Sequence, residues 1–284
     1  TITLLTACGG GSDDNSPADP RPDNPGNTGK ILQPAPGNNV PEIYRQRLHE
    51  VKTKDLGVSS GGARIDTILD GRTLTSLANN RLKMNLLSLP QGWLATFPAP
   101  IPPKPTCARS GWLDKTGTSV RSGWGGDTES ARIRSYNGFY GGAYIQQSEH
   151  GLNLKAAYGI EPLAGEIPTS GKATYTGVAF DKDDRGTLSY HVDFGSKQGH
   201  GNITNLGRYG NVTLQPATFR QVNEADYVIY EIPQRVGVAS SDRYGRMSYD
   251  LRLWGPQAAE LSGKLSNTDE AVAVFHGTRG AITE

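Results

Sequence analysis

Apolar and polar residues alternate along short segments in the second half of the chain. From Leu188 to Phe194 the even positions are apolar and the odd positions are polar, and from Met247 to Leu253 the odd positions are apolar. This period of two is typical of a strand with one buried face. We predict strands over residues 173–180, 187–194, 199–204, 211–219, 226–232, 235–239, 245–254 and 271–278.

Short strands at this spacing favour a closed antiparallel barrel, because closure removes the exposed edges of an open sheet. The composition agrees, since 36 Gly and 12 Tyr against 6 Phe are typical of an all-β protein with frequent turns. Gly177, Gly195, Gly201 and Gly263 are expected at turns or crowded barrel corners. We therefore predict a mainly all-β fold, in which residues 166–284 form an eight-stranded antiparallel C-terminal β-barrel.

The preceding residues 41–165 give a weaker pattern that still favours a β-rich domain. Residues 41–56 are predicted to form a helix, whereas residues 61–97 do not distinguish a helix from strands. A hairpin is predicted at Asn137-Gly138, because this dipeptide separates two apolar segments. The remaining predicted features are a strand over residues 152–158 and a boundary loop over residues 162–170.

The first forty residues predict a lipid anchor followed by a tether. Residues 1–8 have the form of the end of a lipoprotein signal peptide and lipobox, in which Cys8 becomes the acylated N-terminus. Because Gly9, and not Asp, follows the cysteine, we expect the outer membrane. Residues 9–40 contain six Pro and six Gly and few apolar residues, so a disordered tether is expected.

Charge and motif content argue against several classes of function. The formal net charge is +1 and no run of like charges occurs, so nucleic-acid binding is not expected. The sequence has no CxxC or HExxH motif, and residues 181–186 fit a solvated hairpin turn better than a calcium loop. We therefore expect no metal site and no enzyme. Cys107 is expected to be a buried apolar thiol.

Four ordered motifs resemble a known family of surface lipoproteins. They lie in residues 171–177, 192–201, 253–263 and 272–280. Together they resemble the eight-stranded C-terminal barrel of transferrin-binding protein B, factor H-binding protein and the hemophilins. The resemblance implies a lipoprotein that a Slam-type translocator places on the outer face of the outer membrane. It also implies that residues 41–165 are the handle domain, which carries much of the partner specificity in that family.

The overall layout of lipobox, acidic tether, small handle and barrel also resembles host-colonisation lipoproteins of nematode-associated gammaproteobacteria. It implies a monomeric, non-enzymatic protein without a cofactor that associates with a host by binding a host or surface ligand, either a protein or a glycan. The alternative function is capture of haem or of a host iron protein and its transfer to an outer-membrane receptor.

The candidate ligand contacts are aromatic and arginine residues that we expect to be exposed. Trp and Arg are common anchors of protein interfaces, and residues 121–126 resemble an exposed Gly-rich loop. We therefore select Arg121, Trp124, Trp112 and Tyr140. The alternative is that both tryptophans pack into the core of the handle.

Haem binding would need histidine ligands in an apolar pocket. His150 and His49 in the handle are the first candidates for this alternative. The other three histidines are also expected at the surface. Alternation predicts that His191 points out of the barrel, and the glycines on either side of His200 predict a turn.

Overall fold

A computed structural model describes most of the chain between Arg64 and Glu284. The lipobox with Cys8, the tether, the predicted helix over residues 41–56 and Cys107 lie outside the described residues. The described residues are 64–78, 81–84, 111–122, 126–138, 140–150, 153–159, 161–162, 165–223, 226–229, 237–267 and 270–284.

Seven antiparallel strands form the first sheet, which we call the handle sheet. They are β1 (Arg64–Leu69), β2 (Arg72–Ala78), β3 (Arg81–Met84), β4 (Gly111–Ser122), β5 (Thr128–Asn137), β6 (Gly141–Ser148) and β7 (Leu154–Gly159). Their order across the sheet is β3-β2-β1-β4-β5-β6-β7. The described part of residues 61–97, where the pattern left helix and strand open, is therefore strand. The predicted hairpin is confirmed, since β5 ends at Asn137 and pairs with β6.

A second sheet closes on itself and forms the predicted barrel. Its ring consists of β8 (Lys172–Phe180), β9 (Arg185–Asp193), β10 (Gln198–Leu206), β11 (Gly210–Thr218), β14 (Gly237–Ser241), β15 (Gly245–Trp254), β16 (Glu260–Asn267) and β17 (Glu270–Arg279). Every pair is antiparallel, and the pairing of β15 with β16 closes the ring of eight strands. The barrel prediction is therefore confirmed.

The ring differs from the predicted set of strands at two places. Residues 226–232 were expected to be a ring strand, but their described part is β13 (Asp226–Ile229), which forms a hairpin with β12 (Arg220–Asn223) and pairs with the second half of β15. Glu260–Asn267, which the alternation did not identify, takes the place in the ring. Only Leu261 and Leu265 of β16 belong to the barrel core. Because Gly263 between them has no side chain, apolar residues do not alternate over enough positions for the sequence to predict this strand.

Burial confirms the alternation predicted for β9 and β15. The even positions from 188 to 194 and the odd positions from 247 to 253 are buried in the barrel core. In that core the hydroxyl groups of Tyr190 and Tyr249 lie 3.2 Å apart, and Tyr249 donates to the carbonyl of Gln215 at 2.7 Å. Burial raises the pKa of Tyr249 to about 12. These phenols therefore act as neutral hydrogen-bonding groups at physiological pH.

Glycine at position 177 allows β8 and β17 to approach closely, and this predicts a stability difference between two substitutions. In Gly177→Ala the new methyl group would collide with the backbone carbonyl oxygen of His276. We expect a loss of about 1–3 kcal/mol in the free energy of unfolding, because the paired backbone cannot move away. Urea denaturation measures it.

Gly195→Ala is the matched control. Its methyl group would meet only the Asp193 carboxylate, at an ordinary distance of 3.4 Å. We expect a change within about 0.5 kcal/mol. Equal losses in the two variants would contradict the close approach at Gly177.

Candidate functional site

The handle sheet packs against the barrel along β6 and β7 on one side and β16 and β17 on the other. We call this contact the junction. Its apolar part contains Ala143, Ile145, Val178, Phe180 and Val274, all buried. Trp112 of β4 packs edge-on against Phe180, with ring centroids 4.9 Å apart. Handle and barrel therefore share one apolar cluster.

A buried carboxylate forms the polar centre of the junction. One Glu260 oxygen, Oε2, accepts hydrogen bonds from the backbone amides of Tyr140 at 2.8 Å and Gly141 at 2.7 Å. The same oxygen lies 3.2 Å from Nε2 of His276. Glu260 is 2% exposed and His276 is 1% exposed. One barrel side chain therefore fixes the start of a handle strand. Burial and, secondarily, the Glu260 charge raise the pKa of Tyr140.

Arg134 of β5 makes a second polar link across the junction. Its guanidinium is 2% exposed and donates through Nε to Asp114 at 3.0 Å, within the handle sheet. Its Nη1 donates to the backbone carbonyls of Asp181 and Asp184, in the turn between β8 and β9. Burial lowers the pKa of Arg134, and the opposing charge of Asp114 offsets part of this effect. Arg134 therefore connects the handle to a barrel turn.

That barrel turn is more constrained than the solvated hairpin that the sequence predicted. Asp181 is fully buried, and its Oδ1 accepts the backbone amides of Asp183 at 2.8 Å and Asp184 at 2.6 Å. Arg185, which follows the turn, lies over the ring of Trp112 at 3.9 Å. The turn is therefore held from inside by Asp181 and from the handle by Trp112 and Arg134.

A cleft of about 890 Å³ opens beside the junction, and we call it the junction cleft. The handle contributes Lys155 of β7, while the barrel contributes Lys182, Arg208, Tyr209, Tyr244 and Glu270. Lys155 lies 3.9 Å from the exposed carboxylate of Glu270, and burial lowers the pKa of this lysine.

An exposed aromatic ring stands at the edge of the junction cleft. Tyr244 is 51% exposed, and its ring centroid lies 5.2 Å from that of Tyr209. The guanidinium of Arg208 lies 4.9 Å from the Tyr209 ring centroid. The volume of this cleft lies in the range of ligand-binding sites. Its cations and tyrosines suit polar or anionic groups of a ligand.

Two of the residues selected from the sequence meet in a second, smaller cavity. Arg121 and His150 both line a space of about 390 Å³ together with Ser119, Asp127 and Glu129. The His150 side chain is 76% exposed, and its backbone amide donates to Glu129 at 2.7 Å. Trp124 and His49 lie outside the described residues. The sequence assigned Arg121 and His150 to different ligands, whereas the structure places them together.

The other two selected residues belong to the junction. Tyr140 is 3% exposed and lies against Gly255, so its side chain does not form part of an open ligand surface. Trp112 is half-buried and packs on Phe180 of the barrel. The alternative that Trp112 packs into the core of the handle fits this position in part. Trp112 is packed, but it contacts the barrel as well as the handle. Both residues lie at the junction because of packing between segments far apart in the chain, which a local sequence pattern does not predict.

The barrel histidines follow the predictions only in part. His191 is exposed and points outward, as alternation predicted. His200 is exposed but lies within β10, directly opposite His191, and not in a turn. His276, expected at the surface, is buried beside Glu260. The sequence signal for His276 was its place in an otherwise apolar strand, since Val274, Phe275 and Gly277 surround it.

Within the described part of the chain, no three His, Cys, Asp or Glu side chains are grouped so that they could hold a metal ion. Over the same residues, no helix has the length and apolar character needed to cross a membrane.

The polar centre of the junction predicts a large effect of Glu260→Ala. The substitution leaves the buried amides of Tyr140 and Gly141 without their acceptor, and each unsatisfied donor costs about 1–3 kcal/mol. We expect the free energy of unfolding to fall by about 2–5 kcal/mol in urea denaturation.

Glu270→Ala serves as the control for this loss, because its carboxylate is 84% exposed and 3.9 Å from Lys155. We expect the free energy of unfolding of this variant to remain within about 0.5 kcal/mol of the wild-type value. If removal of Glu260 cost no more than removal of Glu270, the junction would not depend on the buried carboxylate.

Several solved structures align with the chain at low overall similarity. Transferrin binding protein B from Haemophilus parasuis Hp5, as a double mutant, aligns at 14% identity over 77% of this chain and 44% of that chain, with a TM-score of 0.40. The same protein from serogroup B Neisseria meningitidis aligns at 14% identity over 76% and 43%, with a TM-score of 0.35. The haemoglobin receptor HpuA from Kingella denitrificans aligns at 14% identity over 61% and 85%, with a TM-score of 0.41.

The chain therefore spans less than half the length of these two transferrin binding protein B chains. Identities and TM-scores of this size carry no argument about a shared ligand.

The family comparison gives a domain-level result. Residues 165–265 match the family described as Factor H binding protein, C-terminal. The match begins before β8 and ends within β16, so it includes six of the eight ring strands in full and most of β16. The C-terminal barrel of this chain is therefore similar to the C-terminal domain of factor H binding protein, as its ordered motifs predicted.

Proposed function

We propose that the chain is an outer-membrane lipoprotein, displayed on the cell surface, that binds a host molecule. The observation that carries this proposal is the match of residues 165–265 to a domain family named for a protein that binds factor H. The lipobox at Cys8 and the tether over residues 9–40 support a lipid anchor that holds the folded part away from the membrane.

The role proposed for the molecule is host association and colonisation. A Slam-type translocator would export it, since the barrel carries the ordered motifs of the lipoproteins that these translocators handle. The role is binding and not catalysis.

We assign ligand binding to the junction cleft. Both units contribute to it, and the links through Glu260 and Arg134 hold the two units in one geometry. A preorganised surface loses less conformational entropy on binding. Tyr244 is the best anchor of this surface, because it is an exposed aromatic ring beside cationic side chains.

Tyr244→Ala therefore tests the assignment. We expect about a tenfold loss of affinity for host tissue, because an aromatic anchor of an interface contributes about 1.4 kcal/mol or more. Purified fluorescent protein measures the binding, and a deletion strain complemented with each variant measures host occupancy. Occupancy should fall while growth outside the host stays normal.

Val238→Ala is the matched control. Val238 is another exposed apolar side chain, at 42%, but it lies on β14 and does not line the cleft. Its removal should leave binding unchanged. If deletion of the gene impairs occupancy but Tyr244→Ala does not, the assignment of ligand binding to the cleft is wrong and the host-association role stands. Normal occupancy after deletion overturns the role itself.

A second candidate function, haem capture, is supported by one observation. The exposed imidazole of His150 and the guanidinium of Arg121 line the same cavity. An imidazole is a common axial ligand of haem iron, and a guanidinium pairs well with carboxylates such as the haem propionates. The cavity also carries Asp127 and Glu129, whose charges oppose an anionic ligand.

Haemin titration distinguishes this candidate from the first. If haem capture is correct, the full chain should give a sharp Soret band at one haem per chain, and His150→Ala should remove or shift it. His191→Ala is the control, since that exposed histidine lies on the barrel. A broad spectrum that is the same in all three proteins would reject haem capture.

A further inference from the structure

Two histidines face each other on the outer surface of the barrel. His191 of β9 and His200 of β10 occupy directly opposite positions in an antiparallel pair. Both are exposed, and their ring centroids lie 5.4 Å apart with the planes tilted by 34°. Directly opposite residues have Cβ atoms about 4.5–5.5 Å apart. Two imidazoles at this separation can turn their free nitrogens toward one point between them.

The backbone that carries this pair has little freedom to move. Gly199 and Gly201, on either side of His200, pack directly on Tyr190, and a methyl group at Gly199 would lie 2.5 Å from the Tyr190 ring. Tyr190 is itself fixed in the barrel core by its contact with Tyr249. The two histidines are therefore mounted on neighbouring strands of a closed ring. Such rigidity favours chelation, because little entropy is lost when both rings are fixed.

A hydroxyl group orients one of the two rings. Thr174 of β8, the strand on the other side of β9, places its Oγ1 2.9 Å from Nδ1 of His191. When Nε2 binds a metal ion, Nδ1 carries the proton and donates to this oxygen. Such an outer hydrogen bond fixes the tautomer and the orientation of a metal-binding imidazole.

The surface around the pair leaves room for further ligands of a metal ion. The two histidines line an open groove of about 760 Å³ with Thr174, Thr176 and Gln198. The groove also contains Lys172 and Asp193, whose charged groups pair with each other at 3.7 Å. Water can therefore complete the coordination shell.

We propose that His191 and His200 form a bidentate surface site for a divalent transition-metal ion, with Cu²⁺ bound most tightly. Neutral imidazole suits copper, nickel and zinc, and Cu²⁺ accepts a tetragonal shell of nitrogen and oxygen ligands. Affinity should follow the general order for such ligands, in which Cu²⁺ exceeds Ni²⁺ and Zn²⁺.

Calorimetric titration of the full-length protein with Cu²⁺, in a buffer containing glycine as a competitor, tests the site. The wild type should bind one Cu²⁺ with at least tenfold higher affinity than His191→Gln or His200→Gln. Electron paramagnetic resonance should show two nitrogen ligands in the wild type and one in each variant. His150→Gln is the matched control and should retain the wild-type affinity.

Two further measurements separate the site from nonspecific binding. Ni²⁺ should raise the melting temperature of the wild type and not that of either single variant, because chelation across two strands requires the folded barrel. Thr174→Val should weaken Cu²⁺ about tenfold while keeping two nitrogen ligands. Unchanged affinity in that variant would overturn the positioning role of Thr174. Equal Cu²⁺ affinity in the wild type and both histidine variants, each with a native circular dichroism spectrum, would overturn the site.

Discussion

A single buried carboxylate, that of Glu260, holds the two parts of the molecule in register. A charge that is removed from water must be paired or hydrogen-bonded, otherwise its burial is strongly unfavourable. Here the backbone amides of Tyr140 and Gly141 and the imidazole of His276 surround one carboxylate oxygen. A backbone amide cannot be repositioned by a change of side-chain rotamer. The hydrogen bonds to Glu260 therefore fix the turn between β5 and β6 against the barrel.

The same requirement explains why glycine occupies several positions at the junction. A methyl group at Gly138 would collide with the His276 ring and lie 2.5 Å from Glu260 Oε2. Methyl groups at Gly141 and Gly159 would collide with the buried ring of Trp254. The handle backbone therefore approaches the barrel closely at these glycines, which have no side chain to collide with His276 or Trp254. At this contact, close approach of handle backbone to barrel side chains adds to the packing of large apolar side chains.

The fixed junction also determines what the surrounding surface can do. Arg134 connects β5 to the barrel turn that carries Lys182, and Lys155 projects from the neighbouring part of the handle sheet. The junction cleft is thus formed by side chains whose backbones cannot shift independently. The histidine pair differs in origin, since it depends only on the ladder between β9 and β10. The molecule therefore offers one surface that requires both units and another that the barrel provides alone.

The sequence by itself determined the features that depend on local periodicity or on a turn. Alternation from Leu188 to Phe194 identified a strand and its inward face, and Asn137-Gly138 identified a hairpin. Ordered motifs identified the family that the barrel resembles. These signals are local because side chains alternate along a strand wherever that strand lies in the fold.

Only the tertiary structure decided which residues meet. Alternation predicted that His191 points outward. Only the register between the strands places His200 opposite it. Nothing local distinguished Glu260 from a surface residue, because its burial results from a second sheet that packs on β16 and β17. Pairing between strands and burial of polar groups arise from contacts between residues far apart in the chain, and a pattern along the sequence does not contain them.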